Sequence, residues 1–306
     1  MFYSSFGLIF KSEDITLQEL EAITNKNNNF DVLIKQNNHN EWPVINSNQF
    51  DTEFLQMEEN DFRLKVDGIA HFRVIDGNQI FWDKLSAKVT ENDIKAFLFS
   101  SVFGALLIQR GFLLLHGNSL TKNKKLIICL GKSGIGKSTI SYMLMKKGWQ
   151  LITDDLVAID KNMNVSIGIQ RIKLWKDTLN YLKIDYKNLK KVRSNIQKFI
   201  LSKDELNISK KSYPITSVFI LYSETQLDKK SKTTDAIKVK KEKTKFFVLR
   251  DNIFRPRFVK GLCKESEYFT KLSNFAKKLP VFLLPIPNDL KRMENFLKND
   301  FDDFFF

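Results

Sequence analysis

Over the first ninety positions apolar residues come in short runs separated by turn-forming residues, the spacing of strands. Phe2–Phe10, Phe30–Ile34, Phe62–Val66, Ile69–Val74 and Gln79–Trp82 each predict a strand, with Asn25–Asn29 as a loop and Asp76-Gly77 as a hairpin turn. Thr16-Leu17-Gln18-Glu19 has the form of a capping box and predicts a short helix. From Glu91 to Ile108 the period changes, and Ile94, Phe97, Leu98, Val102 and Leu106 share one helical face. Phe112–Leu115 then predicts a strand ending at His116, Lys122-Asn123-Lys124 a turn, and Leu126–Leu130 a returning strand. So short a connection makes that pair antiparallel. Ser138–Lys147 predicts a helix stopped by Gly148, and Gln150–Thr153 a strand. Leu156–Ile159 and Val165–Ile169 predict a hairpin, and Leu174–Leu182 a helix. Ser217–Tyr222 predicts a strand and Ser223–Asp235 a solvated loop. Asn252–Leu279 reads as mostly helical, Val281–Leu284 as a strand and Pro287–Leu297 as a last helix. The pattern divides into a β-rich unit over residues 1–90, a bridging helix over 91–109 and a larger unit over 110–306. The fold class is α/β (α+β), with a mixed sheet in the larger unit.

Composition narrows this picture. The chain has 306 residues, 43% of them hydrophobic, enough for a substantial core. Its two cysteines, Cys129 inside a strand and Cys263, form no C-x-x-C pair, so neither a metal framework nor a disulfide scaffold is expected. No basic, apolar and small-residue leader follows Met1, which points to the cytoplasm. The longest apolar stretch, Ala96 to His116, is broken by Ser100, Ser101, Gln109 and Arg110, and no membrane span is expected. The net charge of +14 comes from lysines, many of them between Lys229 and Lys245. They are not interleaved with aromatics, and no helix-turn-helix or zinc-finger spacing is present, so no specific nucleic acid is expected as a partner. The phenylalanine-rich end, Phe301–Phe306, would dock on the body or on a neighbouring subunit, or fray.

The most chemically specific stretch is Gly131-Lys132-Ser133-Gly134-Ile135-Gly136-Lys137-Ser138-Thr139. It fits G-x-x-x-x-G-K-[ST], lies after a predicted strand and opens a predicted helix. Glycines there let backbone N–H groups turn toward a phosphate chain, and the helix N-terminus adds partial positive charge. Lys137 would reach the outer phosphates of ATP, and Ser138 would offer its hydroxyl to Mg²⁺. His116 stands at the end of the strand neighbouring the one that feeds the loop, within reach of the phosphate region. Asp154 and Asp155 follow the next strand, where a carboxylate would serve Mg²⁺ or a substrate hydroxyl. Strand alternation would turn these two acids to opposite sides and give them different tasks. The plainer readings are a strand-end histidine, a solvated acidic turn and a water-using ATPase. The loop motif alone does not separate kinases from ATPases or regulators.

Together, Leu113–His116, Gly131–Ser138 and Leu151–Asp155 resemble, in order and spacing, the catalytic core of the HPr serine kinase/phosphorylase family. The resemblance implies a P-loop kinase fold related to phosphoenolpyruvate carboxykinase, with a mixed sheet. Thr139 stands where that family carries a glutamate associated with metal binding and the reverse, phosphorolytic reaction. Gln170 to Asp177 stands in place of the family's Arg-Gly-Leu-Gly stretch. That segment, with Arg110-Gly111, is similar to a divergent branch that includes kinases for the C-terminal serine of lasso peptides.

The resemblance thus implies an ATP- and Mg²⁺-dependent serine kinase acting on a peptide or small protein. Asp155 would accept the hydroxyl proton, and Ser138 and Asp154 would hold the metal. His116 would steady the acids, and Lys137 with Gly131, Ser133, Gly134, Ile135, Gly136 and Thr139 would hold the nucleotide. Lys173, Lys198 and Arg250 would meet acceptor carboxylate or phosphate oxygens. A homo-oligomer is an expected assembly. Two other readings are a kinase for HPr or a small hydroxyl compound, and a nucleotide-sensing regulator that binds nucleic acid through its basic surface.

Overall fold

The computed structural model describes residues 1–37, 52–193, 196–226 and 236–299. Its N-terminal part is one eight-stranded sheet. The strands are β1 (Phe2–Ser5), β2 (Leu8–Ser12), β3 (Glu21–Ala22), β4 (Val32–Gln36), β5 (Leu55–Glu58), β6 (Asp61–Val66), β7 (Ala70–Ile75) and β8 (Gln79–Lys84), in the order β3-β1-β2-β4-β8-β7-β6-β5. The β7–β8 turn is where the sequence predicts it. Asp76 (φ 51) and Gly77 (φ 61) are both left-handed, as a tight hairpin between right-twisted strands requires.

No helix forms at Thr16–Glu19. The segment is a turn, with Leu17 and Leu20 sunk in the core and the Leu17 N–H donating to the Tyr3 hydroxyl. The Glu19 carboxylate that would have closed a capping box faces Arg171 instead, at 3.6 Å. A four-residue helix has too little internal hydrogen bonding to compete with two buried leucines.

The bridging helix runs as α1 (Glu91–Phe97), a π turn (Leu98–Val102) and α2 (Phe103–Gln109). Thr90 and Asp93 form a reciprocal capping box at its start. Its end holds the β7–β8 hairpin: Gln109 Oε1 accepts from the Gly77 N–H at 2.9 Å, and Arg110 donates to the Gly77 carbonyl at 2.9 Å.

The remaining elements are β9 (Leu113–Lys122), β10 (Lys125–Leu130), α3 (Lys137–Lys146), β11 (Gln150–Thr153), β12 (Leu156–Ile159), β13 (Ile172–Trp175), α4 (Lys176–Tyr181), β14 (Lys190–Lys191), β15 (Lys198–Leu201), β16 (Ile215–Ser223), β17 (Ile237–Lys238), α5 (Glu242–Arg250), α6 (Pro256–Gly261), α7 (Glu265–Lys278), β18 (Val281–Ile286) and α8 (Leu290–Asn299). A second sheet has the order β11-β9-β10-β16-β18-β17. It is mixed: β10, β16 and β18 are parallel, while β9 runs antiparallel to β10 and β11. β13, β15 and β14 make a small third sheet. The molecule is thus α+β with mixed sheets. Among the described residues no helix is long and apolar enough to cross a membrane.

Further expectations need correction. Phe2–Phe10 is not one strand but the hairpin of β1 and β2, which turns at Phe6 and Gly7. The strand containing His116 does not stop there. It continues to Lys122, its first half paired to β12 and its second half to β10 and β11. Gly117 sits at the changeover, opposite Leu130, where a Cβ would lie 2.4 Å from the Cys129 carbonyl oxygen. Leu174–Leu182 is not one helix, since Ile172–Trp175 pairs with β15 and only Lys176–Tyr181 is helical. Val165–Ile169 makes one bridge, Ile159 to Val165, rather than a full hairpin strand. Residues 227–235 of the expected Ser223–Asp235 loop and the phenylalanines of 301–306 lie outside the described residues.

The second sheet is covered on both faces. One apolar cluster joins Phe10, Phe72 and Val74 of the first sheet to Phe103 of α2 and to Leu115, Ile128 and Val218. The other packs Cys129, Ile127 and Phe219 against Leu144, Trp149, Leu174 and Phe296. Burial pushes the Cys129 thiol up to about 12, so it behaves as core. Gly117→Ala is expected to cost about 2 kcal/mol through forced displacement of β10, read as a melting temperature several degrees lower.

Candidate functional site

The glycine-rich loop leaves β10 at Leu130 and enters α3 at Lys137. At Gly131 (φ 149) a Cβ would lie 2.7 Å from the Leu221 carbonyl oxygen, so only glycine lets the loop hug β16. Gly136 (φ 103) caps α3 in the left-handed region, and no side chain caps the helix. The first N–H groups of α3 therefore have no capping side chain and open on the cleft above the loop, an arrangement suited to an anion. Lys137 is only 7% exposed, and its ammonium donates to the carbonyls of Gly131 at 2.6 Å and Lys132 at 3.1 Å. Burial lowers its pKa, while Asp155 and Asp154 act the other way.

The two acids do diverge, but not by strand alternation. Asp155 has left the strand and takes a left-handed conformation, φ 64. Three groups of β9 hold that kink. The Asn118 carboxamide oxygen accepts from the Asp155 N–H at 3.4 Å, the Gly117 N–H donates to the Asp155 carbonyl at 3.3 Å, and His116 Nδ1 lies 3.2 Å from the same carbonyl. Since a carbonyl only accepts, the proton is on Nδ1 and Nε2 is left with its lone pair. Burial and the nearby Lys137 charge lower the His116 pKa, favouring this neutral ring.

Asp154 turns inward and is 1% exposed. The Ser138 hydroxyl donates to its Oδ1 at 3.3 Å, and its Oδ2 is buried with no hydrogen-bond partner. Burial first, and then the Asp155 charge, push its carboxyl up to about 7. Asp155 faces the cleft and pairs with Lys173 of β13. Burial alone would raise its pKa, but Lys173, with Lys198 behind it, outweighs that and holds it well below the usual carboxylate range. A group with a raised folded pKa stabilises the fold fully below its unfolded pKa and loses that contribution as pH rises through the folded value. Asp154→Asn removes this loss. Nucleotide- and metal-free Asp154→Asn protein is therefore expected to gain stability over wild type between pH of about 4 and 7 and to keep it above, by on the order of a few kcal/mol in denaturant unfolding.

The cleft over the loop has a volume of about 260 Å³. Residues 133–139, His116, Asp155, Lys173 and Lys198 line it, together with the exposed Trp175 and with Met293 of α8, which stands beside Gly136. Lys198 lies opposite Trp175 in the β13–β15 pair, with its ammonium 5.5 Å from the indole ring centre. Burial, then Lys173, lower its pKa. Arg250 is elsewhere: it pairs with Asp251 at 3.1 Å beside α5 and does not line the cleft, so its expected part in acceptor binding is dropped.

The sequence reading missed Asn118, which is fully buried, donates to the Ser141 hydroxyl of α3 at 2.8 Å and accepts from Asp155. The available signal was a carboxamide two residues after His116, in the strand beside the one that feeds the loop. Among the described residues no group of three or more His, Cys, Asp or Glu side chains is placed to hold a metal. Ser138 and Asp154 are the pair that faces the loop from the core side.

No protein-family model matches the chain, and no curated protein matches it significantly. Among solved structures, the HPr(Ser) kinase/phosphatase from Coxiella burnetii is similar at 14% identity and a TM-score of 0.34, covering 62% of this chain and 92% of that one. A superposition of that quality carries no weight for fold or activity.

Proposed function

We propose that the chain is an ATP-dependent phosphotransferase that phosphorylates a serine hydroxyl, with a peptide as acceptor. One observation carries this reading. Two adjacent carboxylates are turned apart by the left-handed backbone of the second, one buried against the Ser138 hydroxyl and the other open to the glycine-loop cleft. An ATPase or sensor needs the first of these, whereas the second gives an acceptor hydroxyl a place to lose its proton.

The backbone N–H groups of residues 133–138 and the Lys137 ammonium bind the phosphate chain, Lys137 exchanging the Gly131 and Lys132 carbonyls for phosphate oxygens. Asp155 takes the hydroxyl proton as the oxygen attacks the terminal phosphorus and the bond to the bridging oxygen breaks. His116 fixes the Asp155 backbone and leaves the proton traffic to the carboxylate. Ser138 and the orphaned Oδ2 of Asp154 fit Mg²⁺, which accepts few protein oxygens and keeps water and phosphate as its other ligands. When bound, that ion would neutralise charge on the phosphates. Catalysis is by positioning and electrostatics, since a loose phosphoryl transition state asks for little else.

The acceptor proposed is the C-terminal serine of a ribosomally made, lasso-type peptide. Its carboxylate would suit Lys198, which faces the cleft beside the exposed Trp175. Incubation with Mg·ATP and serine-terminated precursor peptides should give a phosphate mass shift on the serine. Modification of HPr or free serine alone would reassign the acceptor. ATP consumption independent of every acceptor would overturn the kinase reading.

A further inference from the structure

Two lysines around the loop rest on protein oxygens. Lys137 is bonded to two carbonyls of the loop, and Lys173 to the Asp155 carboxylate. The second contact conflicts with the task proposed for Asp155. A carboxylate held by an ammonium is a poor proton acceptor, because the charge that would draw the proton is already neutralised. Lys173 is on the small third sheet, not on the loop, and it lines the cleft from β13. Its β13–β15 neighbour Lys198 adds a further positive charge close by, which disfavours crowding and eases Lys173 off when a stronger anion arrives.

We propose that Lys173 is a catalytic residue that moves from Asp155 to the terminal phosphate of the bound nucleotide, so that nucleotide binding itself frees the base. This rests on the phosphotransferase reading and deepens it. A triphosphate carries several anionic oxygens against one carboxylate, and it presents them at the loop whose cleft Lys173 lines. Once there, the ammonium meets the charge of the phosphoryl group in flight, while the Asp155 oxygen it has left takes the acceptor proton. The phosphorus–bridging oxygen bond breaks toward the diphosphate, the new phosphorus–oxygen bond forms to the acceptor, and the proton ends on Asp155. After transfer the diphosphate lacks the group that held Lys173, Asp155 gives its proton to solvent, and the ion pair re-forms. The cycle imposes an order: nucleotide first, acceptor second. It also makes Lys173 sensitive to the terminal phosphate alone.

That sensitivity can be read without knowing the acceptor. Affinities for Mg·ATP and Mg·ADP are measured by calorimetry on the full chain, as wild type, Lys173→Met and Lys173→Arg. The preference for ATP over ADP should fall by about tenfold or more in Lys173→Met, with ADP affinity within about threefold of wild type. Lys173→Arg should recover most of it. A residue that merely positions Asp155 would leave the ATP-to-ADP ratio unchanged, and that result overturns the proposal while the kinase reading stands. Absence of Mg·ATP binding in the wild type overturns both.

Discussion

Asp155→Asn is expected to bind Mg·ATP at least as tightly as wild type, since Lys173 no longer has a carboxylate to leave, while phosphoryl transfer falls by about 10² to 10⁴-fold, the usual contribution of a positioned general base. The prediction follows from where the side chain is. Its oxygens are in the cleft, and its backbone is clamped by His116, Gly117 and Asn118 through the N–H and the carbonyl, which an asparagine keeps. Asparagine also tolerates the left-handed conformation at this position (φ 64), so the kink survives. Only the negative charge and its partnership with Lys173 are lost. Single-turnover transfer and calorimetry on the same preparation separate the two effects. Wild-type turnover in this variant would remove Asp155 from the chemistry.

Lys137→Ala acts on the other half of the site. Its ammonium is nearly enclosed and makes two hydrogen bonds to the loop that the phosphates would replace. Losing charge-assisted bonds worth about 2–3 kcal/mol should weaken Mg·ATP roughly 30- to 150-fold. Thermal unfolding without nucleotide should change far less, because burial already works against this charge in the free protein. An affinity within twofold of wild type would mean that the loop holds something other than a phosphate chain.

Local signals in the sequence located much of this architecture. The β9–β10 hairpin was legible because one short turn, now seen with Asn123 (φ 51) and Lys124 (φ 63) left-handed, permits only antiparallel pairing. The mixed sheet followed from it. What stayed hidden depends on partners far along the chain. Glu19 is drawn to Arg171, and no local pattern announces that. β13 reads as the start of a helix until β15 is beside it, and that pairing is what brings Lys173 and Lys198 over the cleft. The helix Glu242–Arg250 begins inside a lysine-rich stretch that reads as solvated, since its only fully buried residue is Leu249. At the site, the prediction that the paired acids face apart was reached by strand alternation. The structure separates them by a left-handed turn pinned by Asn118, a tertiary contact.

The most direct measurement is a crystal structure with Mg²⁺ and a non-hydrolysable ATP analogue. The terminal phosphorus is expected within about 5 Å of the Asp155 carboxylate, with Ser138 and Asp154 at the metal and Lys173 on a terminal phosphate oxygen. A terminal phosphate directed away from Asp155, with Lys173 still on its carboxylate, would contradict the proposed chemistry.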